Sequence, residues 1–358
     1  MSGDRALMAK VADLYYLRNL TQQTIAERLG LSRPTVSRLL TRSRTTGIVR
    51  IEVTPPDGTY HPLEHGLEEM FRLREAIVIG SRSESPTVTR RALGQAAAAY
   101  LDRLLRGGER IGISWGMTLG AVIDHVRPRP LKTTVVPLVG GLGQAAPGIH
   151  ANELARRLGE AHRGRVHLLH APAIVAHRSV RDALLSDPRV HHVLDLARRV
   201  HVALVGIGAL VPSSTLIESG YVSAGEIGAL RRQGAVGDVC TRAFGPDGAP
   251  SGETLDTRIL AVTLDDLRRI PTVIGVAGGL EKAEAILGAL RGGLVDVLVT
   301  DNLAARGVLR LAQAGASAAG ALHGGARGNG AAGRGVRRRT RGVPALNEVG
   351  RRAEATGR

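Results

Sequence analysis

The chain has 358 residues, enough for a small domain and a large one, and its 43% apolar content supports a packed core. With aromatics at 2% that core must be built from Leu, Val, Ile and Ala, and the lone Cys240 excludes a disulfide framework or a cysteine-based zinc site. No run of ~18 residues is apolar enough for a membrane span and no basic-then-apolar leader opens the chain, so a cytoplasmic protein is expected.

The net charge of +16 is unevenly placed. Residues 1–53 carry nine basic against four acidic side chains, residues 311–358 nine against two, and the body between them thirty against twenty-six. The excess therefore sits at the two ends, and the body has the balance of an ordinary soluble domain.

In chain order, Ala6 to Leu17 predicts an amphipathic helix with Leu7, Val11, Leu14 and Tyr15 on one face. Residues 21–40 then predict two short helices joined at Gly30, which can take the positive backbone angle that ends the first. Ala26 is small where the helices cross, and Ile25 and Leu29 face Val36, Leu39 and Leu40 at helical spacing. Ser32 is a candidate N-cap, and Pro34 in the first turn costs no intrahelical hydrogen bond. This layout places a helix in the major groove of double-stranded DNA. Arg33 and Thr35 sit at the entering end and are expected at base edges, while Arg38, Arg42 and Arg44 are expected at phosphates. Thr21, Gln22, Ser32, Pro34 and Ser37 complete the candidate DNA-contact set. Ile48 to Val53 alternates like a strand, which makes the layout a winged helix over residues 1–54.

Residues 55–62, opening Pro55-Pro56-Asp57-Gly58, read as a linker to a larger body over 63–314. A helix over Leu63–Leu73 precedes strands over 75–79, 110–113, 134–138, 166–169, 202–205, 272–276 and 295–299, interleaved with helices. Several are continuous in Val, Ile and Leu, the pattern of a parallel, Rossmann-like α/β sheet covered on both faces. From Gly315 the composition turns to Ala, Gly and Arg, and residues 315–358 are expected to be a disordered basic tail.

The chemically suggestive positions lie where those strands end. Gly112, Ser114, Trp115, Gly116, Met117 and Thr118 form a strand, a glycine turn and a helix start, where backbone N–H groups and the helix dipole favour an anion. The segment lacks Gly-Lys-Ser/Thr and the dinucleotide fingerprint, so no nucleotide cofactor is assigned. Gly140 and Gly141 lead to His150 and Asn152; Gly206 and Gly208 leave another strand; Gly278 and Gly279 open onto a helix carrying Lys282. Val299-Thr300-Asp301 closes the last strand with an N-cap. Ligands of open α/β sheets sit at carboxyl ends of strands, so these positions point to a shared crevice. Asp238 and His150 could serve as base and acid, but no spacing fixes their geometry and no nucleophile elbow or metal spacing exists. His191-His192 reads as a surface pair and Cys240 as a small buried residue.

Together these segments resemble the SorC/DeoR-type sugar-responsive bacterial transcription regulators over residues 8 to about 312. The resemblance rests on 20–40, Gly112-Ile113-Ser114-Trp115-Gly116, Pro137-Leu138-Val139-Gly140-Gly141, Gly234-Ala235-Val236-Gly237-Asp238 and Gly275-Val276-Ala277-Gly278-Gly279. It implies an effector domain folded like sugar-phosphate isomerases and CoA transferases, retained as a sensor without catalytic residues, metal or cofactor, in a homodimer or homotetramer. It also implies that Thr118 and the Ser114–Gly116 turn hold phosphate beside Lys282, with His150 and Asp238 facing the sugar. Val139 stands where some relatives carry a basic residue, which implies a singly phosphorylated or unphosphorylated sugar. The alternatives are an active sugar-phosphate isomerase-like enzyme with a DNA-binding appendage, or a constitutive DNA-binding protein with a degenerate pocket.

Overall fold

The computed structural model describes residues 2–51, 59–81, 85–141, 147–211, 214–218, 220 and 222–323. Two compact units result, Met1–Leu309 and Arg310–Arg358.

At the N-terminal end a helix over Ser2–Ala12 continues through a π-helical turn, Asp13–Leu17, and is followed by helices Gln22–Leu29 and Arg33–Thr45. Met8, Val11, Leu14, Ile25, Ala26, Val36, Leu39 and Leu40 form one buried cluster, with Leu7, Tyr15 and Leu29 packed against it. The turn chemistry is as the sequence predicts: Gly30 adopts φ +64° at the end of the first helix, and Ser32 Oγ accepts the amide of Thr35 at 3.3 Å. The expected wing strand is not formed over residues 48–51. The Val49 amide instead donates to the Ser43 carbonyl at 2.9 Å, folding the segment back onto the helix, and no described strand offers it a ladder. Glu52, Val53 and the turn Pro55–Gly58 lie outside the described residues. The helix predicted from Leu63 begins at His61, because Pro62 occupies its first turn, where no amide is needed.

The body contains β1 (Glu75–Ile79), β2 (Arg110–Ile113), β3 (Thr134–Pro137), β4 (Arg165–Val166), β5 (Val202–Gly206), β6 (Gly208–Ala209), β7 (Gly237–Val239), β8 (Arg242–Phe244), β9 (Thr272–Val276) and β10 (Val297–Asp301). Seven of these form a sheet in the order β1-β10-β9-β5-β2-β3-β4, every pair parallel. Helices Pro86–Leu104, Met117–His125 and Ala151–Ala161 place Leu93, Leu101, Leu119, Val122, Leu154 and Leu158 against Ile111, Ile113, Leu204, Val276 and Val299. The first two of these helices cross closely at Gly94, where a Cβ would lie 2.5 Å from the Ala121 carbonyl carbon and oxygen.

A second sheet, β6-β7-β8, is antiparallel and has no counterpart in the sequence reading. Its strands hold two or three residues each, too few to show alternation, and its hairpin turns at Cys240 and Thr241, both at positive φ (53° and 64°) without glycine. The helix Asn302–His323 passes the expected tail boundary at Gly315. Six alanines between 312 and 321 give this stretch high helix propensity despite its lack of large apolar residues. Residues 324–358 of the expected tail lie outside the described residues.

Candidate functional site

The strand order contains one reversal that matters. From β2 the chain moves outward to β3 and β4, then returns on the opposite side of β2 as β5. The connections that follow β2 and β5 therefore leave toward opposite sides, the place where open α/β sheets bind ligands. A cleft of about 540 Å³ opens there. It gathers Ser114, Trp115, Gly116, Met117 and Thr118 after β2, Gly206 and Gly208 around the end of β5, Asp238 from β7, and Gly278, Gly279 and Lys282 after β9. Sequence positions nearly 170 residues apart thus converge, as Ser114 and Lys282 show.

One end of the cleft presents helix-terminal amides and two cations. Gly116 starts the helix Met117–His125 at φ +127°, a conformation closed to residues with a Cβ, and no side chain caps the helix. Its first-turn amides, including those of Met117 and Thr118, have no acceptor earlier in the helix and line the cleft. Gly279, at φ +100°, likewise leads into the short turn Leu280–Lys282 without a side-chain cap. Two cations stand nearby. Lys282 is held below its ordinary range, first by burial and further by the positive charge of Arg90, against which the charges of Glu281, Asp238 and Asp301 act. Arg90 also lines the cleft. The sequence reading missed Arg90, because an arginine in an Arg-rich chain carries little signal until the helix Pro86–Leu104 is placed.

The other polar groups divide by what already occupies them. Asp301 is fully buried and committed, its carboxylate accepting the amides of Gly279 (2.5 Å), Leu303 (2.8 Å) and Ala304 (3.0 Å). It caps the last helix, as the sequence predicts, and also fixes the turn at Gly279. Asp238 is different: burial pushes its carboxyl up to about 6, against the opposing effects of the Lys282 charge and of the hydrogen bond from the Thr241 backbone. The carboxylate occupies the space a side chain at Gly208 would need, which explains a glycine opposite it across β6 and β7. Ser214 is 9% exposed, and its hydroxyl has no hydrogen-bond partner among the described residues. Cys240 is buried, and burial pushes its thiol up to about 12 despite a hydrogen bond with Ser114, which disfavours the thiolate.

Similarity to known proteins follows the same division of the chain. The family model described as a putative sugar-binding domain matches residues 59–310, and one described as a Crp-like helix-turn-helix domain matches residues 7–56. The transcriptional regulator LsrR of Klebsiella pneumoniae is 35% identical over 315 residues, covering 87% of this chain and 94% of that protein. The deoxyribonucleoside regulator of Bacillus subtilis is 32% identical, covering 85% and 97%. The crystal structure of the full-length sorbitol operon regulator SorC from Klebsiella pneumoniae superposes with a TM-score of 0.67 at 30% identity, covering 86% of this chain and 99% of SorC. The chain belongs to the SorC/DeoR-type family of transcription regulators.

Within this family member, five of the expected effector positions do not reach the cleft lining. β3 lies on the far side of β2 from β5, so the residues that follow it are one strand removed from the switch point. Gly140 serves close packing: a Cβ there would lie 2.5 Å from the Ala171 carbonyl oxygen and 2.6 Å from the Pro172 carbonyl group. Gly141 exchanges backbone hydrogen bonds with Ala171 and Ala173. Gly112 makes room for Leu138, which would overlap a side chain at that position. Asn152 spends both ends of its amide on the Leu169 backbone, at 2.9 and 3.0 Å. His150 precedes the helix Ala151–Ala161 and is not among the residues lining the cleft, which Asp238 does line. Leu142 and Gly143 lie outside the described residues.

On the DNA-binding side, Arg33, Pro34, Ser37, Arg38 and Arg44 are exposed. Three expected contacts already have work within the domain. Thr21 Oγ1 accepts the Thr24 amide at 3.2 Å, Ser32 caps the second helix, and Arg42 pairs with Asp4 at 3.0 Å. Thr41 and Thr45, which the sequence reading passed over, are exposed at i+7 and i+11 from Pro34, opposite the buried Val36, Leu39, Leu40 and Ser43. A helical projection of residues 33–45 identifies them once the buried stripe is known.

Proposed function

We propose that this chain regulates transcription of a carbohydrate-utilisation operon, its operator affinity set by a sugar or sugar phosphate bound at the β2/β5 switch point. The observation that carries this reading is the composition of the cleft. An uncapped helix N-terminus, Lys282 and Arg90 suit a phosphate or other anionic group, while Asp238 and the unpartnered hydroxyl of Ser214 suit sugar hydroxyls. In this reading the role is sensing, supported by burial disfavouring the Cys240 thiolate and by a cleft lining that includes Asp238 but not His150. Residues 1–54 act as the DNA-binding domain and 63–314 as the effector domain, in a cytoplasmic homodimer or homotetramer whose paired recognition helices read symmetric half-sites. Effector and operator affinities are then reciprocally coupled.

The test is fluorescence anisotropy of the full chain on DNA from upstream of its own gene, with a panel of sugars and sugar phosphates. At least one ligand should shift operator affinity about tenfold, and Lys282→Gln should abolish that shift while leaving ligand-free DNA binding intact. A panel that neither stabilises the protein nor shifts its DNA affinity at millimolar concentration overturns the sensor reading. Arg33→Ala should flatten the preference for operator over random DNA, whereas Arg44→Ala should weaken both alike.

A further inference from the structure

A second concavity, of about 640 Å³, adjoins the cleft and shares Arg90 and Met117 with it. Its charged and polar wall comes from Thr87 and Arg91 in the first turns of the helix Pro86–Leu104, from Asp124 and His125 at the end of the helix Met117–His125, and from Arg157, with glycine and apolar residues between them. Three arginines thus face one aspartate. That aspartate is already neutralised, since Asp124 pairs with Arg157 at 2.6 Å. Among the described residues Arg90 and Arg91 make no hydrogen bond or ion pair, so two guanidinium groups remain uncompensated at one opening. The helix that carries them has no side-chain cap at Ser85, so its positive end adds to the same field. Guanidinium groups are weakly hydrated, planar donors matched to phosphate oxygens, and the Thr87 hydroxyl supplies a further donor.

We propose that this concavity is a second anion site, which takes the phosphate group of a small molecule on Arg90, Arg91 and Thr87, separately from the cleft at the β2/β5 switch point. Arg90 belongs to both sites, so it links them: a phosphate in either draws on the same guanidinium. The site itself does not depend on the sensor reading, since Arg91 lines only the second concavity and Lys282 only the cleft. Exposed Arg91 packs against nothing in the buried core, so substitutions there leave the fold intact.

Equilibrium dialysis of the full chain against inorganic phosphate tests this, with circular dichroism confirming the fold of each variant. The wild-type chain should bind two phosphates. Arg91→Glu should lose one, Lys282→Gln the other, and Arg90→Gln should weaken both by about tenfold. Arg91→Lys should restore part of the loss, because a point charge replaces the fork. A single bound phosphate that Lys282→Gln removes and Arg91→Glu does not would overturn the second site and leave the cleft standing. A single phosphate with the opposite response would support the second site and count against an anion end in the cleft. If Arg91→Glu left phosphate binding unchanged but weakened binding to all DNA sequences, the arginines would belong to a DNA-facing surface and the proposal would be wrong.

Discussion

Replacing Asp238 by Asn should make the protein more stable at neutral pH while impairing the cleft. Burial holds this carboxyl at about 6, against an ordinary 3.8. That gap corresponds to about 3 kcal/mol of folding free energy. Because folding raises the value, the native state holds the proton more tightly than the unfolded chain does. The associated stability is complete below about pH 3.8 and lost as the pH rises through about 6. At about pH 7.5 the wild-type chain therefore folds with a buried carboxylate that Asn would replace with a neutral group of the same shape. Part of the gain is offset, because Lys282 is itself disfavoured by burial and loses the supporting Asp238 charge. The net expectation is ~1–2 kcal/mol of added stability near pH 7.5, shrinking towards zero at about pH 4. Urea unfolding of both proteins at the two pH values measures it. A variant less stable than wild type by the same amount at both would refute the reasoning, since Asp238 would then be an ordinary structural acceptor. In parallel, sugar-induced change of operator affinity should fall in the variant, because Asn cannot supply a carboxylate to two sugar hydroxyls.

Other positions separate packing from binding. Gly140→Ala should cost about 2 kcal/mol or more, because its Cβ meets the backbone at Ala171 and Pro172, which cannot rotate away; thermal unfolding reads this. Asn152→Ala should cost about 1–3 kcal/mol by freeing the Leu169 amide and carbonyl, with the effector response of the folded fraction unchanged. An Asn152→Ala protein that folds normally but no longer responds to sugar would return this residue to the effector site. Ser214→Ala should leave the melting temperature unchanged or slightly raised, since the hydroxyl forms no bond among the described residues, yet weaken sugar binding by calorimetry about tenfold.

The sequence by itself determined the parts whose physics is local. The stop at Gly30, the cap at Ser32 and the apolar stripe from Val36 to Leu40 specify a helix-turn-helix, because each works through residues within a few positions of one another. The strands at Glu75–Ile79, Arg110–Ile113 and Thr272–Val276 were legible for the same reason, being continuous apolar runs bounded by turns. Strand order is a different kind of fact. Glycines after β2, β3, β5 and β9 look alike in sequence, and all of them suggest backbone close to a ligand. Only the placement of β5 beside β2 makes the ends of β2, β5 and β9 one cleft, and leaves Gly140, Gly141 and Asn152 to hold the neighbouring strand ends together. Tertiary structure also brought Lys282 within reach of the charges of Arg90 and Asp238. It does so because burial strengthens interactions between groups far apart in the chain, and no local pattern encodes which of them will meet.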